Sequence, residues 1–335
     1  MASIDENIKA ASAKHPLVSL GDGKQYTYGT AGFRMKADLL EAVTFRVGLL
    51  ASLRSRKLGG QTIGVMVTAS HNPAADNGVK IVDPMGDMLE QDWERHATTL
   101  VNASSDDELA AIYNKLAVDL KIDLSAPAKV IYGRDTRPSG HKLVAALADA
   151  LQATNTEFVD YKLLTTPQLH YLVRATNTEG TPLSYGKVSE AGYYEKLAEA
   201  FVRALRGRRV QGNLIVDCAN GVGGPKLAEL LKYIPKDKTG FHVKIVNDDV
   251  LRPEVLNLDV CFDINPTSVQ HADVPSAVPI SSRPSSVLPR RRSLCRVSAL
   301  ALWTAMLIVS STTMWMPRLA LSCSTVIAFL LSLPL

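Results

Sequence analysis

Apolar and polar positions follow two distinct rhythms along the first 259 residues. Short apolar runs bounded by turn-forming residues predict strands at 62–67, 79–82, 130–132, 158–159, 214–216 and 243–246. Apolar residues at three- and four-residue spacing predict helices at 39–58, 91–101, 107–116, 140–153, 166–175, 190–205 and 226–231. Strands separated by helices indicate an α/β architecture with largely covered sheets.

Local signals mark where helices begin and where the chain divides. Asp38 and Ser139 are predicted to cap the helices that follow them, and Pro167 lies in the first turn of another. The segment 177–186 is rich in Gly, Thr, Pro and Ser and has little periodicity. We therefore expect a first domain over residues 1–185 and the start of a second over 186–259.

Composition excludes several classes of protein. The chain has 335 residues, of which 46% are hydrophobic and 21% charged. Its net charge of +4 is small for this length and does not indicate nucleic-acid binding. Its four cysteines are scattered without metal-ligand spacing, and the N-terminus lacks the apolar core of a secretory signal. These features favour a reduced, cytoplasmic protein.

The chemistry suggested by the sequence centres on Ser70. It lies in Thr68-Ala69-Ser70-His71-Asn72-Pro73, directly after the predicted strand 62–67. A serine on an exposed loop after a rigid strand, with a proline fixing the exit of the chain, suits a reactive hydroxyl. Taken alone, the serine would more simply cap the next turn.

The whole run resembles the phosphoserine loop of the α-D-phosphohexomutases, and residues 76–89 resemble the branch of that family that acts on N-acetylglucosamine phosphates. The resemblance covers roughly residues 1–259. It implies a mixed sheet sandwiched between helices, followed by an incomplete second α/β domain.

Further motifs of the same family carry the other candidate residues. Tyr28-Gly29-Thr30-Ala31-Gly32-Phe33-Arg34 resembles an active-site loop, in which Gly32 lets the backbone approach a ligand and Arg34 would contact the phosphoryl group. By resemblance, His71 would position the phosphoryl group and Lys80 would be an acid/base or charge stabiliser. Five further residues would support the loop: Thr68, Asn72, Arg134, Asp135 and Arg137. For Asp135 and Arg137, structural support is the favoured role.

The resemblance also implies an activity and its cofactors. It predicts interconversion of N-acetylglucosamine 6-phosphate and 1-phosphate through a phosphoserine enzyme, in UDP-N-acetylglucosamine biosynthesis. A sugar bisphosphate would activate the enzyme, and the family acts as a monomer. Mg²⁺ would be held by the phosphate on Ser70 and by aspartates of a D-G-D-A-D-R loop, which is absent from this chain.

The character of the chain changes after Asp259. Residues 265–293 are rich in Pro, Ser and Arg, and residues 299–316 and 319–335 are almost wholly apolar. Read two bases further along, codons permitted for residues 302–309 encode D-G-D-A-D-R. The residues after Asp259 are therefore expected to arise from a frame error or a retained intron.

Three interpretations remain open for this sequence. It represents an active mutase, a truncated product that keeps the serine loop without turnover, or a phosphosugar-binding fragment anchored in a membrane by the apolar tail. Because the metal loop is replaced, we expect this chain to be essentially inactive. Because the apolar tail is expected to arise from a frame error or a retained intron, we expect no association with a membrane. In every case Ser70 should lie in a cleft beside Arg34 and Lys80.

Overall fold

A computed structural model describes residues 3–257 and 296–298. Its larger sheet has the strand order β1-β3-β2-β4-β5. The hairpin-like pair predicted around the Ser70 loop is present, because β2 and β3 run antiparallel. Strands β2, β4 and β5 run parallel, so the sheet is mixed. The strands are β1 (Phe33–Lys36), β2 (Thr62–Val67), β3 (Asp76–Val82), β4 (Lys129–Arg134) and β5 (Glu157–Leu163).

Helices cover both faces of this sheet, which confirms the predicted α/β sandwich. One face packs into a core shared by α1 to α5, and the opposite face packs against α6 and α7. Neighbouring residues of β2 show the division, since Val65 belongs to the first core and Met66 to the second. The helices are α1 (Ile4–Ser12), α2 (Glu41–Lys57), α3 (Gln91–Val101), α4 (Asp106–Asp119), α5 (Gly140–Ala153), α6 (Thr166–Thr178), α7 (Glu190–Leu205), α8 (Gly223–Tyr233) and α9 (Lys236–Thr239).

A smaller parallel sheet follows in the order β7-β6-β8. Its strands are β6 (Asn213–Asp217), β7 (His242–Val246) and β8 (Arg296–Ser298). Leu214 and Val216 of β6 join the same hydrophobic core as Leu169 of α6. The two sheets are therefore bound through one continuous core, and the ends of β2 and β6 are brought to a common cleft.

Several local predictions need correction. Asp38 does not cap α2, because it lies in a short 3₁₀ turn and Leu40 occupies the cap position. Ser139 precedes α5 but makes no capping bond; its hydroxyl accepts a hydrogen bond from the Asn77 side chain instead. Strand β1 and helix α1 were not predicted.

The predictions for the tail after Asp259 lie outside the described residues, apart from the three residues of β8. Among the residues that the structure does describe, no helix combines the length and the apolar character needed to cross a bilayer.

Candidate active site

The Ser70 loop leaves the carboxyl end of β2 in a constrained conformation. Ser70 has φ of +55°, in the left-handed region that non-glycine residues seldom adopt. Its backbone N–H donates to the Thr68 hydroxyl at 3.1 Å, and Asn72 N–H donates to the Ala69 carbonyl at 3.1 Å. A left-handed conformation costs a non-glycine residue about 1–2 kcal/mol, so the surrounding contacts must hold the loop in place.

Two side-chain donors clamp the loop through the same pair of carbonyls. Arg137 Nη2 donates to the Ser70 carbonyl at 3.2 Å and to the Asn72 carbonyl at 2.6 Å. Asn257 Nδ2 donates to these two carbonyls at 3.0 and 2.8 Å. The clamp fixes the backbone on both sides of His71 and leaves the Ser70 hydroxyl outside it.

A buried ion pair holds the first of these donors. Arg137 is 1% exposed and Asp135 is 6% exposed, and their side chains form a salt bridge. Asp135 also accepts from the Thr68 hydroxyl at 2.7 Å and from Arg137 N–H at 3.0 Å. Asp135 thus connects β4 to both ends of the Ser70 loop, and these are the contacts of a structural support.

Arg34 and Lys80 lie on the sheet surface behind the loop. Arg34 pairs with Gly78, and Lys80 with Met66, so both side chains share the sheet face that α6 covers. Burial, with the nearby positive charge of Arg34, lowers the pKa of Lys80 to about 8. Burial and the charge of Arg137 likewise lower the pKa of Arg34. This cationic surface is suited to a phosphoryl group.

Gly32 sets how closely β1 approaches this surface. It has φ of +77°, and a Cβ placed on it would lie 2.2 Å from the Val79 carbonyl oxygen and 2.7 Å from Lys80 Cβ. Only glycine satisfies both the backbone angle and the close contact.

A cleft of about 140 Å³ opens in front of Ser70, between the ends of β2 and β6. Five of the residues singled out in the sequence line it: Thr68, Ser70, His71, Asp135 and Arg137. Arg34, Lys80, Gly32 and Asn72 are not in its lining, nor is Arg134, which donates to the Asp135 carbonyl at 3.1 Å. Of Ser70, Arg34 and Lys80, only Ser70 is in the cleft lining, and the position of Arg34 and Lys80 beside Ser70 stays a prediction.

Eight residues of the second sheet region also line the cleft, among them Asp217, Cys218 and Asn257. Burial raises the pKa of the Cys218 thiol to about 12, which keeps it protonated and unreactive at neutral pH. Asp217 accepts from Ala219 N–H at 2.9 Å and from Asn247 Nδ2 at 2.9 Å, so it shapes the turn after β6. Asn257 is 187 residues from Ser70 along the chain, and no local sequence pattern predicts a contact between residues so far apart.

The residues present do not by themselves fit the Mg²⁺ that the resemblance implies. Mg²⁺ prefers several oxygen ligands in octahedral geometry. Within residues 3–257 and 296–298, no group of three or more His, Cys, Asp or Glu side chains is placed to hold a metal ion. Of the implied ligands, only Ser70 is found in this part of the chain.

Comparison with known proteins identifies the fold and the loop together. The family profile described as phosphoglucomutase/phosphomannomutase, α/β/α domain I, matches residues 50–108 and 109–182, which include the Ser70 loop, the Asp135–Arg137 pair and α6. This chain belongs to the phosphohexomutase family. Its described residues include that family's domain I.

The similar proteins fall in one branch of the family. The chain is 46% identical over 275 residues to phosphoacetylglucosamine mutase of Candida albicans, covering 78% of this chain and 49% of the relative. N-acetylphosphoglucosamine mutase of Aspergillus fumigatus, solved with GlcNAc-6P and magnesium, is 56% identical with a TM-score of 0.71 over 77% of this chain and 47% of that one. A variant of the same enzyme, solved with glucose 1,6-bisphosphate, gives 55% identity and a TM-score of 0.73. The chain spans about half the length of these relatives.

Proposed function

We propose that this chain carries the phosphoserine-bearing half of an enzyme that interconverts N-acetylglucosamine 6-phosphate and N-acetylglucosamine 1-phosphate. One observation supports the proposal above the others: Ser70 lies at the mouth of a cleft on a loop whose carbonyls are clamped by Arg137 and Asn257. The Aspergillus relative, crystallised with GlcNAc-6P, supports the choice of substrate.

The proposed chemistry proceeds through Ser70 Oγ. In the first half-reaction the Oγ–P bond of phosphorylated Ser70 breaks, a new P–O bond forms to a free sugar hydroxyl, and the proton of that hydroxyl passes to a base. Ser70 Oγ takes up a proton as it leaves. In the second half-reaction the sugar P–O bond of the other phosphoryl group breaks, that group bonds to Ser70 Oγ, and the Oγ proton passes to the sugar oxygen that is released. Phosphate is conserved, and the enzyme ends phosphorylated as it began.

The surrounding residues are assigned roles by their position. The clamp holds the Ser70 backbone while the side chain gains and loses charge, and preorganised positioning of this kind supplies much of the catalysis in phosphoryl transfer. Lys80, with a pKa of about 8, is poised to exchange a proton near neutral pH, and Arg34 stays cationic. In the complete enzyme Mg²⁺ would supply further charge stabilisation.

The test is to phosphorylate Ser70 and then to measure turnover. The full chain is incubated with glucose 1,6-bisphosphate and its intact mass is measured. We expect one phosphoryl group on the wild type and on Ser184→Ala, a control that removes an exposed loop hydroxyl, but none on Ser70→Ala. Equal labelling of Ser70→Ala would refute the assignment of the phosphate carrier.

A second function, phosphosugar binding without turnover, is favoured by the lack of a metal-ligand group within residues 3–257. The two are separated by supplying N-acetylglucosamine 6-phosphate and Mg²⁺ to the phosphorylated chain. Formation of the 1-phosphate supports the mutase assignment for this polypeptide itself. Stable phosphoserine that accepts no substrate supports binding alone.

A further inference from the structure

A second pocket, of about 80 Å³, lies where α6 meets the linker to α7, and of its lining residues one, Pro167, also lines the Ser70 cleft. Three elements contribute to it: His170 and Arg174 from α6, Tyr185 from the linker, and Lys196 from α7. The turn after β3, at Gly86, closes one side. The pocket therefore bridges the large sheet and the first helix of the region that follows.

Two cations face this pocket without a carboxylate partner. The Arg174 guanidinium lies 4.1 Å, and Lys196 Nζ 3.3 Å, from the centre of the Tyr185 ring. Lys196 also donates to the Tyr185 carbonyl. Among residues 3–257 neither cation forms an ion pair, although Asp87 also lines the pocket and Glu199 lies close enough to act on Lys196 electrostatically.

The two cations also act on each other. Burial, followed by the positive charge of Arg174, lowers the pKa of Lys196. Like charges held together in a partly buried pocket raise the free energy of the folded state, and a bound anion removes this penalty.

Two buried polar atoms in the pocket have no hydrogen-bond partner in the part of the chain that the structure describes: Arg174 Nε and His170 Nε2. His170 Nδ1 donates to the Gly86 carbonyl at 2.7 Å, which fixes the proton of the neutral ring on Nδ1. Burial lowers the pKa of His170 to about 4, so at neutral pH Nε2 offers a bare lone pair. Such unsatisfied buried atoms are uncommon in native proteins and call for a ligand or a water molecule.

We propose that this pocket binds inorganic phosphate, with its P–O⁻ oxygens accepting from Arg174 and Lys196 and its P–OH donating to His170 Nε2. The donor set requires an anion that also carries a proton, because Nε2 can only accept. At neutral pH inorganic phosphate retains at least one P–OH, whereas sulfate retains none and a phosphomonoester is largely the unprotonated dianion. The bound phosphate would tie α6 to α7 and so hold the linker 179–189 in place.

The first test uses the unmodified chain in a chloride buffer at pH 7.5, titrated calorimetrically with inorganic phosphate, sulfate or N-acetylglucosamine 6-phosphate. We expect phosphate to bind at least tenfold more tightly than sulfate at this pocket. Equal affinity for the two anions would overturn the assignment of His170 Nε2 as an acceptor. A preference for the sugar phosphate at this pocket would overturn the assignment of the ligand.

Variants locate the binding. Arg174→Met and Lys196→Met keep the aliphatic stem and remove the charge, and each is expected to weaken phosphate binding at least tenfold. The control Lys115→Met removes a lysine that is exposed and paired with Asp119, and it should leave binding unchanged. If phosphate binding survives in both pocket variants, the proposal is wrong.

Two further variants separate this pocket from the Ser70 cleft and from misfolding. Arg34→Met should abolish any phosphate binding near Ser70 while leaving this pocket intact; loss of all binding in that variant would place the only phosphate site at Ser70. Arg174→Lys keeps the charge with a smaller side-chain change, and partial recovery of affinity relative to Arg174→Met shows that charge, not folding, is responsible. Circular dichroism confirms that each variant is folded.

Discussion

Removing the Arg137 guanidinium should destabilise the chain strongly, because it breaks a buried ion pair. Arg137→Met keeps most of the side-chain volume, but it leaves the Asp135 carboxylate, 6% exposed, with two neutral donors: the Thr68 hydroxyl and a backbone N–H. Removing one member of a buried pair typically costs about 3–5 kcal/mol. Native proteins have only about 5–15 kcal/mol of stability in total, so the loss should amount to about a fifth or more of it.

The assay is urea unfolding followed by tryptophan fluorescence, since Trp93 is buried in the core next to the large sheet. The matched control is Arg252→Met. It removes an arginine from an exposed pair, in which Arg252 is 58% and Glu254 64% exposed, and should change stability by less than about 1 kcal/mol.

A double variant tests whether the buried charge is the cause. Asp135→Asn combined with Arg137→Met removes the carboxylate together with its partner. We expect it to be more stable than Arg137→Met alone, by about 1–3 kcal/mol, because no uncompensated charge is left. If Arg137→Met costs less than about 1 kcal/mol, or the double variant is the less stable of the two, the reasoning from burial fails.

Three other predictions follow from the site and its surroundings. Gly32→Ala should displace β3 at Lys80 and lower the melting temperature measured by circular dichroism, because its methyl group would overlap the β3 backbone; an unchanged melting temperature would contradict this. Unfolding free energy should fall as the pH drops from about 6.5 to 4, because His170 has a folded-state pKa of about 4 and the unfolded chain binds its proton first. Against wild type, His170→Phe should remove up to about 3 kcal/mol of this dependence in urea titrations at each pH, and parallel profiles would count against it. Asn257→Ala should speed amide hydrogen exchange around Ser70 while leaving β4 protected, as its two hydrogen bonds to the loop are lost; unchanged exchange at the loop would show that Arg137 alone suffices.

The sequence predicts the regular elements well where periodicity is strong. Helices α3 and α7 have the predicted bounds, and β2 matches residue for residue. Strand β1 escaped prediction because its four residues carry no clear alternation and its pairing partner, β3, is 40 or more residues away. The glycines before it predict a loop, and the chain passes directly from that loop into the sheet.

The candidate site was predictable in part for the same reason. Contiguous motifs revealed Ser70 and Asp135, because each follows a strand of strong apolar character. Asn257 could not be predicted as a site residue, because only tertiary packing brings it to Ser70. In His170 one ring nitrogen has a hydrogen-bond partner and the other has none among the described residues, a difference that no sequence pattern predicts.

The two donors of the clamp on the Ser70 loop are synthesised at different times. Arg137 follows Ser70 by 67 residues, whereas Asn257 follows it by 187. At a synthesis rate of about 5–20 residues per second, the second donor leaves the ribosome roughly 6–24 seconds after the first. During that interval the Ser70 loop of the nascent chain can be held by Arg137 alone, without Asn257. The reactive geometry of Ser70 is thus completed late, after the large sheet has had time to fold.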